Sequence, residues 1–229
     1  MKAIVLRVNS PGGTVDAVPT LAAEIYATRG QKPIVAISDT LNASAALWIS
    51  SQADQLLVEP SSQTGSLGVL VAHEDVSKML EQMGVKVTLI HAGRHKVDGH
   101  PFAALPEDMH ARWQAEINEV RDEFVAAVAR GRRTSQRGVR EKYGEGLMYS
   151  AKDAVKLGLA DRIGTFEEAL AMAPWGGSGS HIHAQHQADL DYMEAGLRFC
   201  ALQARGPAEK QLMADRDYMA TGLRIAERL

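Results

Sequence analysis

The sequence predicts an α/β domain, and three observations support this fold class. Short runs of branched apolar residues, typical of buried parallel strands, alternate with segments whose apolar residues recur at helical spacing. Turns containing glycine and proline separate them, as in Asn9-Ser10-Pro11-Gly12-Gly13. Apolar residues make up 45% of the 229 residues, which is enough for one sizeable core. A unit of strand, turn and helix therefore repeats along the chain.

The expected elements follow one another closely. Strands are predicted at 3–8, 33–38, 54–59, 65–71, 86–92 and 160–163. Helices are predicted after a Thr14 cap, from Ser44 after a turn at 39–42, and at 75–84, 107–130, 136–142, 151–157 and 166–173. The longest pattern, at 107–130, predicts one amphipathic helix with these residues on its apolar face: Trp113, Ile117, Val120, Phe124 and Val128.

Charge and composition argue against several classes of function. A formal net charge of -3 gives no overall attraction to nucleic acid or anionic lipid. No run approaches the roughly 18 apolar residues of a membrane span, and no basic region with a hydrophobic signal core opens the chain. The single Cys200 allows no intrachain disulfide. We therefore expect a cytoplasmic protein with no nucleic-acid partner, no membrane partner and no cofactor.

A change in composition predicts a domain boundary near residue 173. Residues 174–187 are rich in glycine, serine and histidine, which favours a flexible linker over a metal site. Within residues 188–229, the segment beginning at Ala188 returns 26 residues later at Ala214, with eight of eleven positions identical. The repeat predicts a helical tail whose two apolar faces either pair with each other or dock onto another chain.

The candidate nucleophile is Ser44, which stands among small residues in Asn42-Ala43-Ser44-Ala45-Ala46. A serine hydroxyl attacks a carbonyl only where a base takes its proton and donors stabilise the oxyanion. Serine at a helix start is also a common cap, which satisfies a backbone N–H. The local pattern alone favours the cap.

Candidates for the missing partners lie on both sides of Ser44 in the sequence. The backbone N–H groups at Gly12 and Gly13 carry no side chain and could point at an oxyanion, although such turns are commonly structural. Lys96 lies in a basic loop beside Arg94 and His95. A lysine acts as a base only when it is neutral, which requires burial or nearby positive charge, and a surface loop of this kind is otherwise simply solvated.

Taken together and in order, these motifs resemble the signal peptide peptidase A family of serine-lysine peptidases, most closely its phage head-maturation members. The resemblance runs from about Ala3 to Leu170 and is carried by these motifs: Asn9 to Gly13, Ala43-Ser44, Thr64-Gly65-Ser66-Leu67-Gly68-Val69, Gly93-Arg94-His95-Lys96 and Tyr149 to Asp161. It implies the Clp protease and crotonase fold, a spiral of β-β-α units. Relative to the family, residues 1–173 form a peptidase domain shortened at its N-terminus.

The resemblance also implies roles for individual residues. Ser44 becomes the nucleophile and Lys96 the general base, while Ser66 hydrogen-bonds the lysine. The implied oxyanion donors are the turn at Gly12 and Gly13 and the backbone N–H at Ser44 or Ala45, and no metal takes part. Ala45-Ala46 replaces two glycines that follow the serine in the bacterial enzymes, which bears on substrate specificity.

The function that these roles imply is a serine endopeptidase working through an acyl-enzyme. We expect it to cleave capsid or scaffold protein during phage or prophage head maturation, in the host cytoplasm or within the procapsid. The family assembles into rings in which serine and lysine can come from neighbouring subunits, so a homo-oligomer is expected. The alternatives are a noncatalytic capsid-assembly protein derived from such a peptidase, and a crotonase-type acyl-CoA enzyme without a nucleophilic serine.

Overall fold

A computed structural model of the chain describes residues 3–172, and its strands form one mixed sheet of six. The strands are β1 (Ile4–Ser10), β2 (Ile34–Ala43), β3 (Gln55–Val58), β4 (Gln63–Gly65), β5 (Met148–Ser150) and β6 (Arg162–Ile163). The helices are α1 (Val18–Thr28), α2 (Ala45–Ser50), α3 (Ser77–Gln82), α4 (Glu107–Gly131), α5 (Gln136–Tyr143), α6 (Ala151–Leu157) and α7 (Phe166–Met172). The α/β fold class is confirmed, whereas the predicted linker at 174–187 and tail at 188–229 lie outside the described residues.

The central strand of the sheet is β2. Along one of its edges it pairs in parallel with β1, with Ser10 opposite Asn42 near the end of both strands. Along its other edge, β3 pairs with the first half of β2 and β4 pairs with the second half, where Ala43 lies opposite Gly65. Because all three pairings are parallel, the carboxyl ends of β1, β2 and β4 meet at one corner of the sheet. Strand β5 closes this side by antiparallel pairing with β4, and β6 pairs in parallel with β3.

The sheet is buried on both faces. Successive side chains of a strand point to opposite faces, and in β2 Ile34 and Ala36 pack in the larger core while Val35 and Ile37 pack in a smaller one. Helices α1, α2, α4, α5 and α6 contribute to the larger core, and α7 contributes Ala169 to the smaller one. This double burial explains why the strand sequence is continuously apolar rather than alternating.

Stacked aromatic rings join helices α2 and α4. The ring centroids of Trp48 and Phe124 lie 4.6 Å apart with nearly parallel planes, and both side chains are buried. The long helix lies where it was predicted. On its predicted apolar face Phe124 and Val128 are buried, whereas Trp113, Ile117 and Val120 are half-buried. Within residues 3–172 no helix, α4 included, is both long enough and apolar enough to cross a membrane.

A half-buried arginine holds together the C-terminal ends of the same two helices. The Arg29 guanidinium donates to the carbonyl oxygens of Gln52, Ala53 and Gly131, at 2.7 Å from Nε to Gln52 O and 3.0 Å from Nη2 to Gly131 O. Burial lowers the pKa of Arg29 from its ordinary value, and the nearby carboxylate of Asp54 opposes that shift. Three backbone carbonyls are thus satisfied by one side chain, which holds the end of α2 against the end of α4.

Several local predictions are wrong. The predicted turn at 39–42 belongs to β2, which continues to Ala43, and residues 66–71 and 86–92 form no strand. Thr14 caps nothing, because α1 begins at Val18 without a side-chain cap. The branched apolar residues of 86–92 favour a strand by composition, but they pair with none of the described strands, and backbone pairing is what makes a strand. The short strand β5 was not predicted.

Candidate active site

Ser44 stands between β2 and α2 in a strained backbone conformation. Its φ is 53° and its ψ is -124°, a combination sparsely populated by residues other than glycine and costing about 1–3 kcal/mol. A sharp, strained turn from strand to helix exposes a serine hydroxyl at the edge of a sheet, as in the nucleophile elbows of hydrolases. The residue occupies the cap position of α2, but its side chain makes no capping hydrogen bond. The capping role that the local sequence favoured is therefore absent.

Ser66 repeats this arrangement at the end of the neighbouring strand. Ala43 and Gly65 pair across β2 and β4, so Ser44 and Ser66 follow directly after paired residues. Ser66 also has a positive φ, 54°. Four residues other than glycine have a positive φ within 3–172, and Ser44 and Ser66 are two of them. The Ser44 N–H donates to Gly65 O at 3.0 Å. The structure thus brings the two predicted serines together, both partly exposed.

Gly12 lies directly against the Ser44 turn. Its φ is +93°, and a methyl group added to it would come within 2.7 Å of Ser44 Cβ and 2.9 Å of Ala45 N. Only glycine fits this position, because both the conformation and the close approach exclude a side chain. The Gly12 N–H donates to Ser10 Oγ at 3.2 Å. Within the described chain the N–H groups of Gly13 and Ala45 have no acceptor. Of the predicted oxyanion donors, these two are therefore available to bind an oxyanion.

Lys96 makes no hydrogen bond with either serine in the described residues. The residue is exposed, and its side chain makes no hydrogen bond or ion pair with any residue in 3–172. Its loop is nevertheless ordered by neighbours, since His95 Nδ1 lies 2.7 Å from Asp98 Oδ2 and the ring of Trp113 on α4 packs against Gly99. These contacts hold the loop in place, and Lys96 is exposed to solvent on it.

The segment that leads to this loop is exposed or half-buried along its whole length. We call residues 69–92 the arm, and none of its side chains is buried. Leu70 is 84% exposed and Ile90 is 98% exposed, and the other exposed apolar residues of the arm are Val71, Met79, Met83, Val85, Val87 and Leu89. Exposed apolar groups concentrated in one region are typical of a protein contact surface. The arm connects Ser66 to Lys96, so a contact here bears on both ends of the predicted site.

Three residues around the site were not singled out from the sequence. Ser10 holds Gly12, Asn42 bonds Ser50 across the Ser44 turn, and Trp113 packs on the lysine loop. A polar asparagine so close to the end of a buried strand was a signal that could have been noticed, because buried amides need partners. As for metals, no three histidine, cysteine, aspartate or glutamate side chains within 3–172 lie close enough to hold an ion.

Known proteins similar to this chain include proteases and a phage head-tail protein. Capsid assembly protease C of Escherichia phage lambda is 34% identical over 169 residues, which cover 74% of this chain and 38% of that protein. A head-tail preconnector protein of an Enterobacteria phage is 33% identical over 75% of this chain and 34% of its own length. Protease 4 of Salmonella typhi is 33% identical over 76% of this chain and 28% of its own length. The chain thus spans about a third of each of these relatives.

The family match covers most of the described fold. A solved structure, a membrane-bound stomatin-specific protease, is similar at a TM-score of 0.49 and 14% identity, over 74% of this chain and 68% of that one. The model of peptidase family S49 matches residues 27–175, a range that contains the Ser44 turn, Ser66 and the Lys96 loop. By that match, this chain belongs to peptidase family S49.

Proposed function

We propose that the chain is a serine endopeptidase in which Ser44 is the nucleophile and Lys96 the general base. The observation that carries the proposal is the Ser44 turn, a strained and partly exposed serine packed on Gly12 with unpaired N–H groups beside it. Residues hold such strain mainly where function requires it. Membership of a peptidase family supports peptide-bond hydrolysis as the reaction.

The proposed reaction has two steps. Ser44 Oγ attacks the peptide carbonyl carbon as its proton passes to the neutral Lys96 amine, and the N–H groups of Gly13 and Ala45 stabilise the oxyanion. The tetrahedral intermediate then expels the amine half of the substrate, which takes the proton from Lys96. Water, activated by the same amine, hydrolyses the acyl-enzyme and restores Ser44. Ser66 orients the lysine by a hydrogen bond, and no third residue is required, because an amine has no tautomer to fix.

We propose further that the site closes in a homo-oligomer. The arm and Lys96 are both exposed in the single chain. Packing the arm against a neighbouring subunit would bury its apolar side chains and carry the lysine loop to the serines of the same or the adjacent subunit. Removal of water from an amine favours its neutral form, which a general base requires. The complete protein is then a ring of the Clp and crotonase type, with residues 1–173 as its peptidase domain.

The proposed substrates are capsid or scaffold proteins during phage or prophage head maturation. This proposal is supported by the sequence similarity to a capsid assembly protease and a head-tail preconnector protein. On this proposal the protein acts in the host cytoplasm or within the procapsid, and residues 188–229, which lie outside the described residues, direct it into the shell.

A noncatalytic assembly protein is the second candidate, and one observation favours it. Lys96 has no partner among the described residues and faces solvent, as it would in a chain retained for its oligomer and tail. The two candidates differ in whether Ser44 reacts with an acylating or phosphonylating reagent.

The reactivity of Ser44 tests the peptidase proposal directly. In the full-length chain, a fluorophosphonate should label Ser44 as seen by mass spectrometry, and Ser44→Ala should abolish labelling. We expect Lys96→Ala to slow labelling by about a thousandfold or more, and Ser66→Ala by about ten- to a hundredfold, because each weakens proton removal from the hydroxyl. Lys152→Ala, an exposed lysine of α6, is the matched control and should label normally. No labelling of the folded wild-type oligomer would support the assembly protein.

Gly12→Ala tests the close approach of the first turn to the nucleophile. The added methyl group would overlap Ser44 Cβ and displace the turn, so we expect fluorophosphonate labelling to fall by at least about a hundredfold. Gly30→Ala is the matched control, because Gly30 also has a positive φ, +78°, but nothing lies within 4 Å of its missing Cβ. It should lose about 1 kcal/mol of stability through backbone strain and label like wild type. Equal labelling of the two variants would contradict the role of Gly12.

Charged substitutions in the arm test the oligomer. We expect Leu70→Asp with Ile90→Asp to lower the mass measured by light scattering and to reduce Ser44 labelling in parallel, because two carboxylates would have to be desolvated in the interface. Leu21→Asp on α1, where the leucine is 44% exposed, is the control and should change neither. If the arm variant remained an oligomer of wild-type mass, the proposed contact surface would be wrong.

Co-expression with the major capsid and scaffold proteins from the same genome tests the substrate. We expect these proteins to be shortened when the wild-type chain is present and to stay intact with Ser44→Ala, because only the hydroxyl can form the acyl-enzyme. Deletion of residues 181–229 should leave Ser44 labelling unchanged but remove the chain from purified procapsids. Unchanged co-purification after the deletion would rule out the tail as the targeting segment.

A further inference from the structure

A buried amide and a buried hydroxyl are bonded across the Ser44 turn. Asn42 lies near the end of β2, two residues before Ser44, and Ser50 is the last residue of α2; both are fully buried. The Asn42 amide nitrogen donates to Ser50 Oγ at 2.9 Å, and the same hydroxyl lies 3.0 Å from Asn42 Oδ1. The strand before the strained serine is therefore tied to the helix after it by side chains shielded from water.

The neighbouring strands hold Asn42 from both sides. On β4, Thr64 is its register partner, and Thr64 Oγ1 donates to the Asn42 carbonyl oxygen at 3.0 Å. On β1 its register partner is Ser10, whose hydroxyl accepts the Gly12 N–H. Ser10, Asn42 and Thr64 thus form one polar row across three strands. Each member stands two residues before a predicted site residue, in the order Gly12, Ser44 and Ser66.

We propose that Asn42 and Ser50 form a positioning clasp that holds Ser44 in its strained conformation with the hydroxyl oriented for attack. This inference rests on the proposed function only in taking Ser44 as the nucleophile. A strained backbone persists only when its surroundings determine it from several directions. The Ser44 side chain provides no capping bond of its own. Ser50 is the only partner of the Asn42 side-chain amide within residues 3–172. If the strand and helix separated, the amide would lose this partner, so the clasp opposes relaxation of the turn.

Removing both partners separates positioning from stability. Ser50→Ala leaves the buried Asn42 amide unpaired, and Asn42→Ala leaves the Ser50 hydroxyl with only its long bond to Leu47 O, at 3.4 Å. Either single variant should therefore unfold more easily, whereas the double variant removes both groups and should recover most of that loss. In the full chain we expect the double variant to label with fluorophosphonate about ten- to a hundredfold more slowly than wild type. Amide hydrogen exchange at Ser44, whose N–H bonds Gly65 O, should become faster.

A second buried pair in the same sheet provides the control. Ser38 and Ser62 are also buried and hydrogen-bonded at 2.9 Å, but Ser38 lies six residues before Ser44, which is about 20 Å along a strand. The double variant Ser38→Ala with Ser62→Ala should keep wild-type labelling and wild-type exchange at Ser44.

Each outcome decides one claim. Unchanged exchange at Ser44 in the clasp variant, or faster exchange with undiminished labelling, would overturn the positioning role. If wild type itself fails to label, the proposed function fails, and hydrogen exchange alone still decides whether the clasp holds the turn.

If the double variant does not fold, Ser50→Cys replaces it, because a thiol has nearly the same shape but bonds the amide more weakly. It should show the same two changes to a smaller degree, and the absence of both would refute the clasp.

Discussion

The parallel pairing of β2 with β1 on one edge and β4 on the other is the constraint on which the site depends. It brings three strand ends to one corner, so residues far apart in sequence become neighbours without any bond between their side chains. Gly12 can then touch Ser44, and the Ser44 N–H can reach Gly65 O. A slip of one residue in either register would turn alternate side chains to the other face and separate these groups.

The corner is held by a rigid helical layer rather than by the turn itself. Trp48 stacks on Phe124, and Arg29 satisfies carbonyls at the ends of both α2 and α4. Because α2 has only six residues, its own hydrogen bonds could not keep it helical without this packing. The packing of α2 on α4 therefore offsets the strain energy of the Ser44 backbone. Such compensation is expected where a strained conformation has a chemical role.

The sequence predicted best what depends on buried apolar pattern. Strands β1 and β2 and the long helix α4 followed from uninterrupted or helically spaced apolar residues, since tertiary packing rewards those patterns directly. Residues 86–92 have the composition of a strand but no paired neighbour in the described chain, so composition alone misled. The strain at Ser44 was also beyond prediction, because a serine before a short apolar helix has the same local sequence as a cap. The contact of Gly12 with Ser44 depends on strand register, which the glycine motif does not encode.

The two halves of the predicted site differ in how they are built, and this difference follows from their positions in the fold. Ser44, Ser66 and Gly12 stand on paired strand ends, whereas Lys96 is on an exposed loop beyond the arm. Under the proposed function, if the arm packs on a second subunit, Lys96 would reach Ser44 only in the assembled state, and the proposed activity would rise with protein concentration by mass action. On this proposal, the serine corner that forms in the single chain and the exposed Lys96 loop are the two parts of one site.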